Sequence, residues 1–526
     1  MLNAALRKGK VNMEREVDKP ILLVTINARY IHTAFGLRYL YSNMGELQGR
    51  TRILEFEIRQ RALEIAGEIL AQDPVLVGFG VYIWNVALST EVIEILKRVR
   101  PDLTVIIGGP EVSYEIDKQS IVELADYVIT GEADIKFAEV CRVLLGGKRP
   151  EAKVIVSGLP TLTKVNLPYE AYTEEDLTNR VIYVEASRGC PFTCEFCLSS
   201  LDVPVRAFGL DSFLSEMETL LKRGARSFKF VDRTFNLNIK TSRAILQFFI
   251  DRWQDGMFLH FEMVPDRMPQ ELLELLSWFP KGTVQLEVGI QTFDDVTSKN
   301  ISRRQNLTKL EANIRYLREH TGVHIHADLI VGLPGETLES FAQGFDKLVA
   351  MGPQEIQVGI LKRLRGTPIV RHDVEWGMVY GGHPPYEILQ SRDWSFEEIQ
   401  RMRRFARFWD LVANSGRFVE TLSLIWDGVG SAFWGFLAFT DWMGKVIGRN
   451  HSIALVVLAE RLWEYLTKVR MLKDVEPVFR ADWERGGAKR ERLGFLETTV
   501  AVVESKERGS GLGQRQRRHA GKQAEV

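Results

Sequence analysis

The sequence predicts an α/β protein with three parts: an N-terminal doubly wound parallel sheet, a central partial (βα)6 parallel barrel and a mostly helical C-terminal domain. Two separate series of short Val- and Ile-rich strands, each alternating with helices of about ten residues, predict the two sheets. The strand pattern stops near residue 375, and eight of the 11 tryptophans lie beyond it. This change predicts the helical part.

The first series occupies residues 20–150, behind a leader at 1–19 that we expect to be disordered. Strands in which apolar and polar residues do not alternate indicate a parallel sheet covered on both faces. Such a sheet binds ligands beyond the carboxyl ends of its strands. The predicted strands cover 21–26, 51–56, 76–81, 104–107 and 127–130, and the predicted helices cover 33–45, 60–72, 87–99 and about 134–146.

A linker is predicted at 151–180 and the barrel at 181–374. Six strand–helix repeats are typical of a full or partial parallel barrel, whose site lies at the C-terminal ends of its strands. Residues 375–504 are predicted to be helical, and 505–526 to be a disordered tail. The predicted barrel strands lie near 182–186, 227–232, 257–263, 283–289, 323–330 and 355–361, and the helices at 211–223, 239–253, 269–278, 307–320 and 337–351.

Charge and hydropathy exclude several classes of partner. With 68 Lys+Arg against 69 Asp+Glu, the net charge of -1 gives no global field that favours nucleic acid or a membrane. No apolar run reaches the roughly 18 residues of a membrane helix, and no secretory signal opens the chain. We expect a cytoplasmic protein. The run Arg401, Arg403, Arg404 and Arg407 could grip phosphates, but a solvated helix face is the favoured interpretation.

The cysteines carry the strongest chemical signal, since three of the four fall between 190 and 197. Such clustering indicates metal in a reducing compartment rather than disulfides. Thiolates of Cys190, Cys194 and Cys197 can wrap one face of a [4Fe–4S] cluster and leave one iron open. Structural zinc normally has four ligands, and no histidine is nearby. Cys141, on an apolar helix face, is predicted to be a core residue.

The segment Glu185-Ala-Ser-Arg-Gly-Cys190-Pro-Phe-Thr-Cys194-Glu-Phe-Cys197 resembles the cluster loop of the radical S-adenosylmethionine (SAM) superfamily. The resemblance implies that the open iron chelates SAM, which one electron cleaves to a 5′-deoxyadenosyl radical. An electron donor such as flavodoxin or ferredoxin and an unknown substrate are the implied partners, and no catalytic residue is assigned. The usual Gly-Gly-Glu is missing where Asp232 stands. The implied cofactor contacts are Phe196, Asp232, Glu262, Glu287, Gln291 and Asp328.

Residues 20–150 resemble the cobalamin-binding domain that precedes many such barrels. The Asp-x-His-x-x-Gly loop that supplies a cobalt ligand is absent, and the domain's only histidine, His32, is expected to cap or pack at a helix start. Either cobalamin binds without a protein histidine, which we favour, or the domain binds nothing or another ligand. The implied contacts are Asn27, Tyr30, Gly80, Tyr82, Gly108, Gly109, Glu111, Gly131 and Glu132.

These resemblances imply a radical SAM enzyme that uses cobalamin for methyl transfer or a related radical reaction. A cobalamin-independent radical SAM enzyme, for example an RNA-modifying one, is the main alternative. Methylthiolation of transfer RNA normally needs a second cluster, for which only Cys141 remains. A cobalamin or redox sensor without turnover is the non-enzymatic alternative. The C-terminal domain carries no residue to which a role can be assigned.

Overall fold

The computed structural model describes residues 19–449, 451–485, 493 and 514–520. The predicted disordered leader therefore lies outside the described residues except for Lys19, and the predicted tail is described only at 514–520.

Six parallel strands form the first sheet, in the order β2-β1-β3-β4-β5-β6. The first five match predicted strands, and β1 is buried along its whole length, as a sheet covered on both faces requires. The strands are β1 (Ile21–Asn27), β2 (Thr51–Glu57), β3 (Leu76–Gly80), β4 (Thr104–Gly108), β5 (Tyr127–Thr130) and β6 (Val154–Val156).

Helices cover both faces of this sheet, which confirms the doubly wound prediction. They are α1 (Phe35–Ser42), α2 (Ala62–Ala71), α3 (Val86–Val99), α4 (Ser120–Leu124) and α5 (Lys136–Leu145). Val24 of β1 packs in one buried cluster with Ile65 of α2 and Ile93 of α3. Its neighbour Leu23 points to the other face, in a cluster with Phe137 of α5.

The predicted linker at 151–180 is structured instead. Three of its residues form β6, which extends the first sheet beyond the predicted boundary at residue 150. The short helix α6 (Glu174–Asn179) follows, and its Asp176 binds Arg38 of α1 at 2.7 Å. Tyr169 and Tyr172 are buried between the two sheets. Strand β6 was not predicted because a strand of three residues is too short to show a recognisable period of apolar residues.

The second sheet is a parallel partial barrel of six strands in the order β7-β10-β11-β12-β13-β14, as predicted. Helices alternate with the strands along the chain. The strands are β7 (Ile182–Val184), β10 (Ser227–Phe230), β11 (Phe258–Met263), β12 (Val284–Gln291), β13 (His324–Val331) and β14 (Glu355–Ile360). A separate antiparallel ribbon follows β7 and consists of β8 (Ser187–Arg188) and β9 (Arg206–Ala207).

The barrel helices are α7 (Leu210–Lys222), α8 (Ile239–Asp251), α9 (Gln270–Ser277), α10 (Asp295–Asn300), α11 (Leu307–His320) and α12 (Leu338–Met351). Short 3-10 helices lie at Gly45–Arg50, Pro110–Val112, Ile116–Lys118, Leu162–Lys164, Tyr169–Ala171, Leu198–Leu201, Pro368–His372 and Thr421–Ile425.

The C-terminal part begins with the hairpin β15 (Val379–Tyr380) and β16 (Ile388–Gln390) and continues as helices. Trp409 packs on Phe405 and Phe345, so this tryptophan serves the core that joins the helices to the barrel. None of the helices in the described ranges combines the length and apolar character needed to cross a bilayer. The helices are α13 (Phe396–Val412), α14 (Ala432–Ile447), α15 (Leu455–Glu464), with a π turn at Tyr465–Val469, and α16 (Val475–Arg485).

The predicted disordered tail is wrong at residues 514–520, which form helix α17 (Gln514–Ala520). Arg515 binds Glu355 of β14 at 3.1 Å, and Gln516 donates a hydrogen bond to Gln285 of β12 at 2.7 Å. His519 is buried against His324. The helix is held by barrel residues distant in sequence, and local composition carries no sign of such contacts.

Candidate cofactor sites at the carboxyl ends of the two sheets

The cysteine loop begins at a turn that only glycine fits. Gly189 has a φ of 91°, and a Cβ on it would lie 2.7 Å from the carbonyl oxygen of Pro204. The ribbon of β8 and β9 brings these segments together, and the backbone N–H of Cys190 donates to the carbonyl of Asp202 at 3.0 Å. The fold thus fixes the direction in which the first cysteine enters the loop.

Glu195, between the second and third cysteines, anchors the loop to the barrel. Its carboxylate is buried and accepts hydrogen bonds from Ser302 and from Nε2 of His372, the latter at 2.8 Å. The backbone N–H of Glu195 donates to the carbonyl of Ile301, and the backbone N–H of Ile369 donates to the carbonyl of Glu195. Sequence analysis missed Glu195, because a carboxylate between two cysteines gives no local sign of burial.

All three loop cysteines are free thiols at the rim of one cavity at the carboxyl ends of the barrel strands. Arg303 donates a hydrogen bond to the sulfur of Cys194 at 3.4 Å, which stabilises negative charge there. Burial raises the pKa of Cys190 and of Cys194, so bound metal would be what holds them as thiolates. No three His, Cys, Asp or Glu side chains among the described residues converge on a single metal ion. Three soft sulfur donors fit an iron–sulfur cluster, in which each sulfur binds a different iron.

Five of the six predicted SAM contacts line this cavity of about 180 Å³: Phe196, Glu262, Glu287, Gln291 and Asp328. The barrel brings them together because they stand at or near the carboxyl ends of adjacent strands or in the cysteine loop. Four further polar side chains of the lining were not predicted from the sequence, because they come from loops without a recognisable motif. These are Arg233, Arg303, Arg304 and Gln305.

Asp232 differs from its predicted role, since it lies outside the cavity lining and beneath the loop. Its carboxylate accepts hydrogen bonds from the backbone N–H of Ala186 at 2.9 Å and from Oγ of Ser187 at 2.6 Å. Burial raises the pKa of Asp232 to about 7. The structure therefore gives Asp232 a contact with the loop in place of the predicted contact with SAM.

Two carboxylates of the cavity lie beside basic side chains. Glu287 accepts from Nε2 of His260 at 2.9 Å and lies 3.4 Å from Nζ of Lys229. Burial alone would raise the pKa of Glu287, but these two partners lower it. Glu262 lies 3.6 Å from Arg233, and burial raises its pKa. The cavity thus contains one carboxylate, Glu287, whose charged form is stabilised and another, Glu262, whose charged form is disfavoured. This arrangement suits the polar groups of a charged cofactor.

A second cavity of about 270 Å³ lies at the carboxyl ends of the first sheet. Six of the predicted cobalamin contacts line it, together with aromatic side chains of α1 and α5. Gly109 has a φ of 117°, and a Cβ on it would lie 2.4 Å from the carbonyl of Val81, so a side chain there would distort the wall. Glycine-lined walls fit the close approach of a large planar ligand. The six residues are Gly80, Tyr82, Gly108, Gly109, Gly131 and Glu132.

Three predicted cobalamin contacts are not in this lining. Asn27 is buried and donates to the carbonyl of His32 and to Glu55. Tyr30 is 44 % exposed, and its hydroxyl donates to Glu175. Glu111 is turned toward the barrel. These residues follow strand ends in sequence, but their side chains point away from the cleft.

His32 packs at the domain junction, as expected for a non-ligand. Its Nδ1 lies 2.8 Å from the hydroxyl of Tyr183 in β7, and its backbone forms a bridge with Val181. No histidine occurs in the described lining of the cleft. Cobalamin held in this cleft would take no cobalt ligand from His32.

Arg188 connects the segment that leads into the cysteine loop with the cleft of the first domain. It stands two residues before Cys190, and its guanidinium binds Glu132 at 2.8 Å and Asp134 at 2.9 Å, both in the cleft lining. It also pairs with Glu185 at 2.8 Å. The strand that leads into the cysteine loop therefore forms one wall of the cleft in the first domain.

Comparison with known proteins agrees with this division of the chain. The family model of the radical SAM superfamily matches residues 184–348, and the B12 binding domain matches residues 21–141. Residues 184–348 therefore contain a radical SAM domain, and the cofactors that this domain implies are a [4Fe–4S] cluster and SAM. In this chain the radical SAM domain is joined to a B12 binding domain and to a third domain at residues 374–519, which matches the family called protein of unknown function DUF4080.

Two curated relatives illustrate the range of similarity. The ribosomal protein uS12 methylthiotransferase RimO of Trichlorobacter lovleyi is 29% identical over 194 residues, which cover 35% of this chain and 43% of the relative. The cobalamin-dependent radical SAM methyltransferase TokK of Streptomyces tokunonensis is 23% identical over 447 residues, 75% of this chain and 62% of the relative. The chain thus spans less than half the length of the first of these two relatives.

A solved structure shares the fold. The radical SAM methyltransferase TsrM of Kitasatospora setae, with tryptophan and a SAM analogue bound, superposes with a TM-score of 0.57 at 18% identity. The superposition covers 68% of this chain and 76% of that one.

Proposed function

We propose that this protein is a cobalamin-dependent radical SAM methyltransferase acting on a substrate still to be identified. The observation that carries the proposal is the Arg188 network, which joins the cysteine loop to the glycine-lined cleft. Two cofactors held on either side of one guanidinium would lie close enough to work on the same substrate. The similarity to TokK, which covers 75% of this chain, supports the same assignment.

The protein's own residues would hold and orient the cofactors. Cys190, Cys194 and Cys197 would bind the cluster, with Arg303 balancing its negative charge. The carboxylates of Glu262 and Glu287 would orient the polar groups of SAM. When bound, the cluster supplies the electron that cleaves SAM, and cobalamin supplies a carrier for the methyl group. The protein contributes orientation and the exclusion of water.

Methylthiolation is the less favoured alternative. The similarity to RimO covers 194 residues, 35% of this chain. Beyond the cysteine loop the chain has only Cys141, which is fully buried in α5, and burial raises its pKa to about 12. One inert thiol provides too few ligands for a second cluster.

The proposed activity requires a one-electron reductant, for which a flavodoxin or a ferredoxin is the proposed class. We also propose a cytoplasmic location, because cluster ligands must stay reduced and the four cysteines are all free thiols.

The test is anaerobic reconstitution with iron, sulfide and hydroxocobalamin, followed by metal analysis, a visible spectrum after desalting, and turnover with SAM labelled in its methyl group. The matched variants are Cys190→Ala and Cys141→Ala. We expect about four irons per chain and a retained corrinoid band in the native protein and in Cys141→Ala, and loss of iron in Cys190→Ala.

Label transferred to an added candidate substrate, or to cobalamin, would support methyl transfer. Iron without corrinoid would overturn the cobalamin-dependent reaction and leave a radical SAM enzyme. Both cofactors without release of 5′-deoxyadenosine by the reduced protein would support the sensor alternative instead.

A further inference from the structure

A third cavity lies in the C-terminal domain, away from both cofactor sites. It is an open groove of about 1010 Å³ between α13, the last turn of α14 and the β15–β16 hairpin. One of its walls is Ile360, the last residue of β14, which is an edge strand of the barrel. We call it the arginine groove. Its charged residues are Arg401, Arg403, Arg404, Lys445, Arg449, Glu387 and Asp441.

Two carboxylates hold the arginines of α13 in place. Asp441 of α14 accepts from Nη2 of Arg401 at 2.7 Å and from its Nε at 3.3 Å, and it lies 3.7 Å from Arg404. Glu387 pairs with Arg403 in the same way. The side chains of these three arginines stay between a third and two fifths exposed, so each guanidinium is only partly covered by its carboxylate partner.

Lys445 and Arg449 provide charge that no carboxylate balances. Both are exposed, and in the described part of the chain neither has an ion-pair partner. Against five cations the groove has two carboxylates, which leaves an excess of three positive charges. The chain as a whole has a net charge of -1, so this excess is local.

Gly444 of α14 lies beside these charges. A Cβ on it would lie 3.4 Å from Cδ and Nε of Arg404, an ordinary van der Waals contact, so the arginine side chain lies across the helix at this position. Gly448, with a φ of 67°, ends α14 and directs the chain to Arg449. Forked guanidiniums that converge from two elements are the usual recognition group for phosphate oxygens.

We propose that the arginine groove binds a small phosphorylated ligand through a pyrophosphate or phosphate ester. A phosphate group carries about two negative charges at neutral pH, so the local excess of three positive charges is enough to balance it. The volume lies at the upper end of small-ligand sites, which reach about 1,000 Å³. A nucleic acid would need cations along an extended surface, and here they converge in one bounded groove on a chain of net charge -1.

Calorimetric titration of the full-length protein with inorganic pyrophosphate tests this proposal without any cofactor or turnover. The variant is Lys445→Ala/Arg449→Ala, since both side chains are exposed and unpaired and their loss leaves the fold intact. The matched control is Lys148→Ala/Arg149→Ala, an exposed Lys and Arg after α5 in the first domain. We expect saturable binding that weakens with added salt, and at least roughly tenfold weaker binding in the groove variant only.

Three results would overturn the proposal: no saturable binding at millimolar pyrophosphate, equal loss in the control variant, or equally tight binding of sulfate. A single-stranded oligonucleotide is titrated in parallel. If it binds the native protein at least tenfold more tightly than pyrophosphate, and through the same groove residues, the ligand is a nucleic acid and the small-ligand proposal fails.

Discussion

Glu111 of the first domain and Arg365, which follows the last barrel strand, form an ion pair across the domain boundary, with 2.9 Å between Oε1 and Nε. The hydroxyl of Tyr386 in the C-terminal hairpin loop donates to the same carboxylate oxygen at 2.7 Å. A second pair, Glu115 and Arg363, lies beside it at 3.1 Å. Because Glu111 stands two residues after Gly109, this contact ties a wall of the proposed cobalamin cleft to both other domains.

Breaking the pair should destabilise the protein measurably. In Glu111→Gln the Arg365 guanidinium keeps only Glu115, 3.5 Å from its Nη1, as a counter-charge, in a site where the Glu111 and Arg365 side chains are only 4% and 15% exposed. We expect a loss of about 2 kcal/mol in the free energy of unfolding. The control is Glu94→Gln, whose partner Arg98 is on the surface of α3, with an expected change below about 0.5 kcal/mol. Urea denaturation measures both, and equal effects would contradict the buried character of the pair.

Gly189→Ala should abolish cluster binding. The left-handed φ costs about 1 kcal/mol for any L-residue, and the new Cβ would also meet carbonyl oxygens of Asp202 and Pro204 at 2.8 and 2.7 Å. Gly147→Ala is the matched control, because its φ of 74° imposes the same backbone cost but nothing lies within 4 Å of its Cβ. Iron content after reconstitution should fall only in Gly189→Ala. Normal iron in that variant would mean that the turn adapts.

Gly80→Leu should fill the cleft of the first domain and prevent retention of hydroxocobalamin while leaving the iron content unchanged. Gly80 ends β3 in the cleft lining, and its Cβ position touches only side chains at ordinary van der Waals distance, so the fold tolerates the change. Gly67→Leu, on α2 with nothing within 4 Å, controls for the added side chain. The corrinoid band after desalting measures the effect. Retained corrinoid in Gly80→Leu would place cobalamin elsewhere.

Asp232 should make stability depend on pH in a defined window. Burial raises its pKa from 3.8 to about 7, so the folded protein binds this proton more tightly than the unfolded chain. The stabilisation is complete below about pH 3.8, decreases as the pH rises to about 7, and is then constant. Asp232→Asn removes this dependence, so the unfolding free energy of the native protein relative to the variant should fall across that window.

Glu336 provides an internal comparison for this measurement, because burial raises its pKa from 4.5 to about 8. The unfolding free energy of the native protein relative to Glu336→Gln should fall between about pH 4.5 and about pH 8. Denaturation series from pH 4 to 9 on both variants test the two windows. A difference between Asp232→Asn and the native protein that does not vary with pH would contradict the raised pKa of Asp232.

The sequence by itself determined the class of fold and the place of the cluster. Strands β1 to β5 and the six barrel strands are readable because local periodicity records which side chains are buried. The three cysteines proposed as cluster ligands lie within eight residues of one another, so their spacing alone predicts a site. The carboxylates Glu262, Glu287 and Asp328 line one cavity, because the ends of adjacent parallel strands meet at one edge of the sheet, and their contact with SAM stays a prediction.

Only the tertiary structure decided where single side chains point and what holds them. Asp232 lies under the cysteine loop, and Glu111 reaches Arg365, which is 254 residues further along the chain. Arg188 connects the segment that leads into the cysteine loop with the cleft of the first domain, and α17 is ordered by strands of the barrel. Each of these outcomes depends on contacts between residues that are distant in sequence, and a local pattern contains no record of its distant partners.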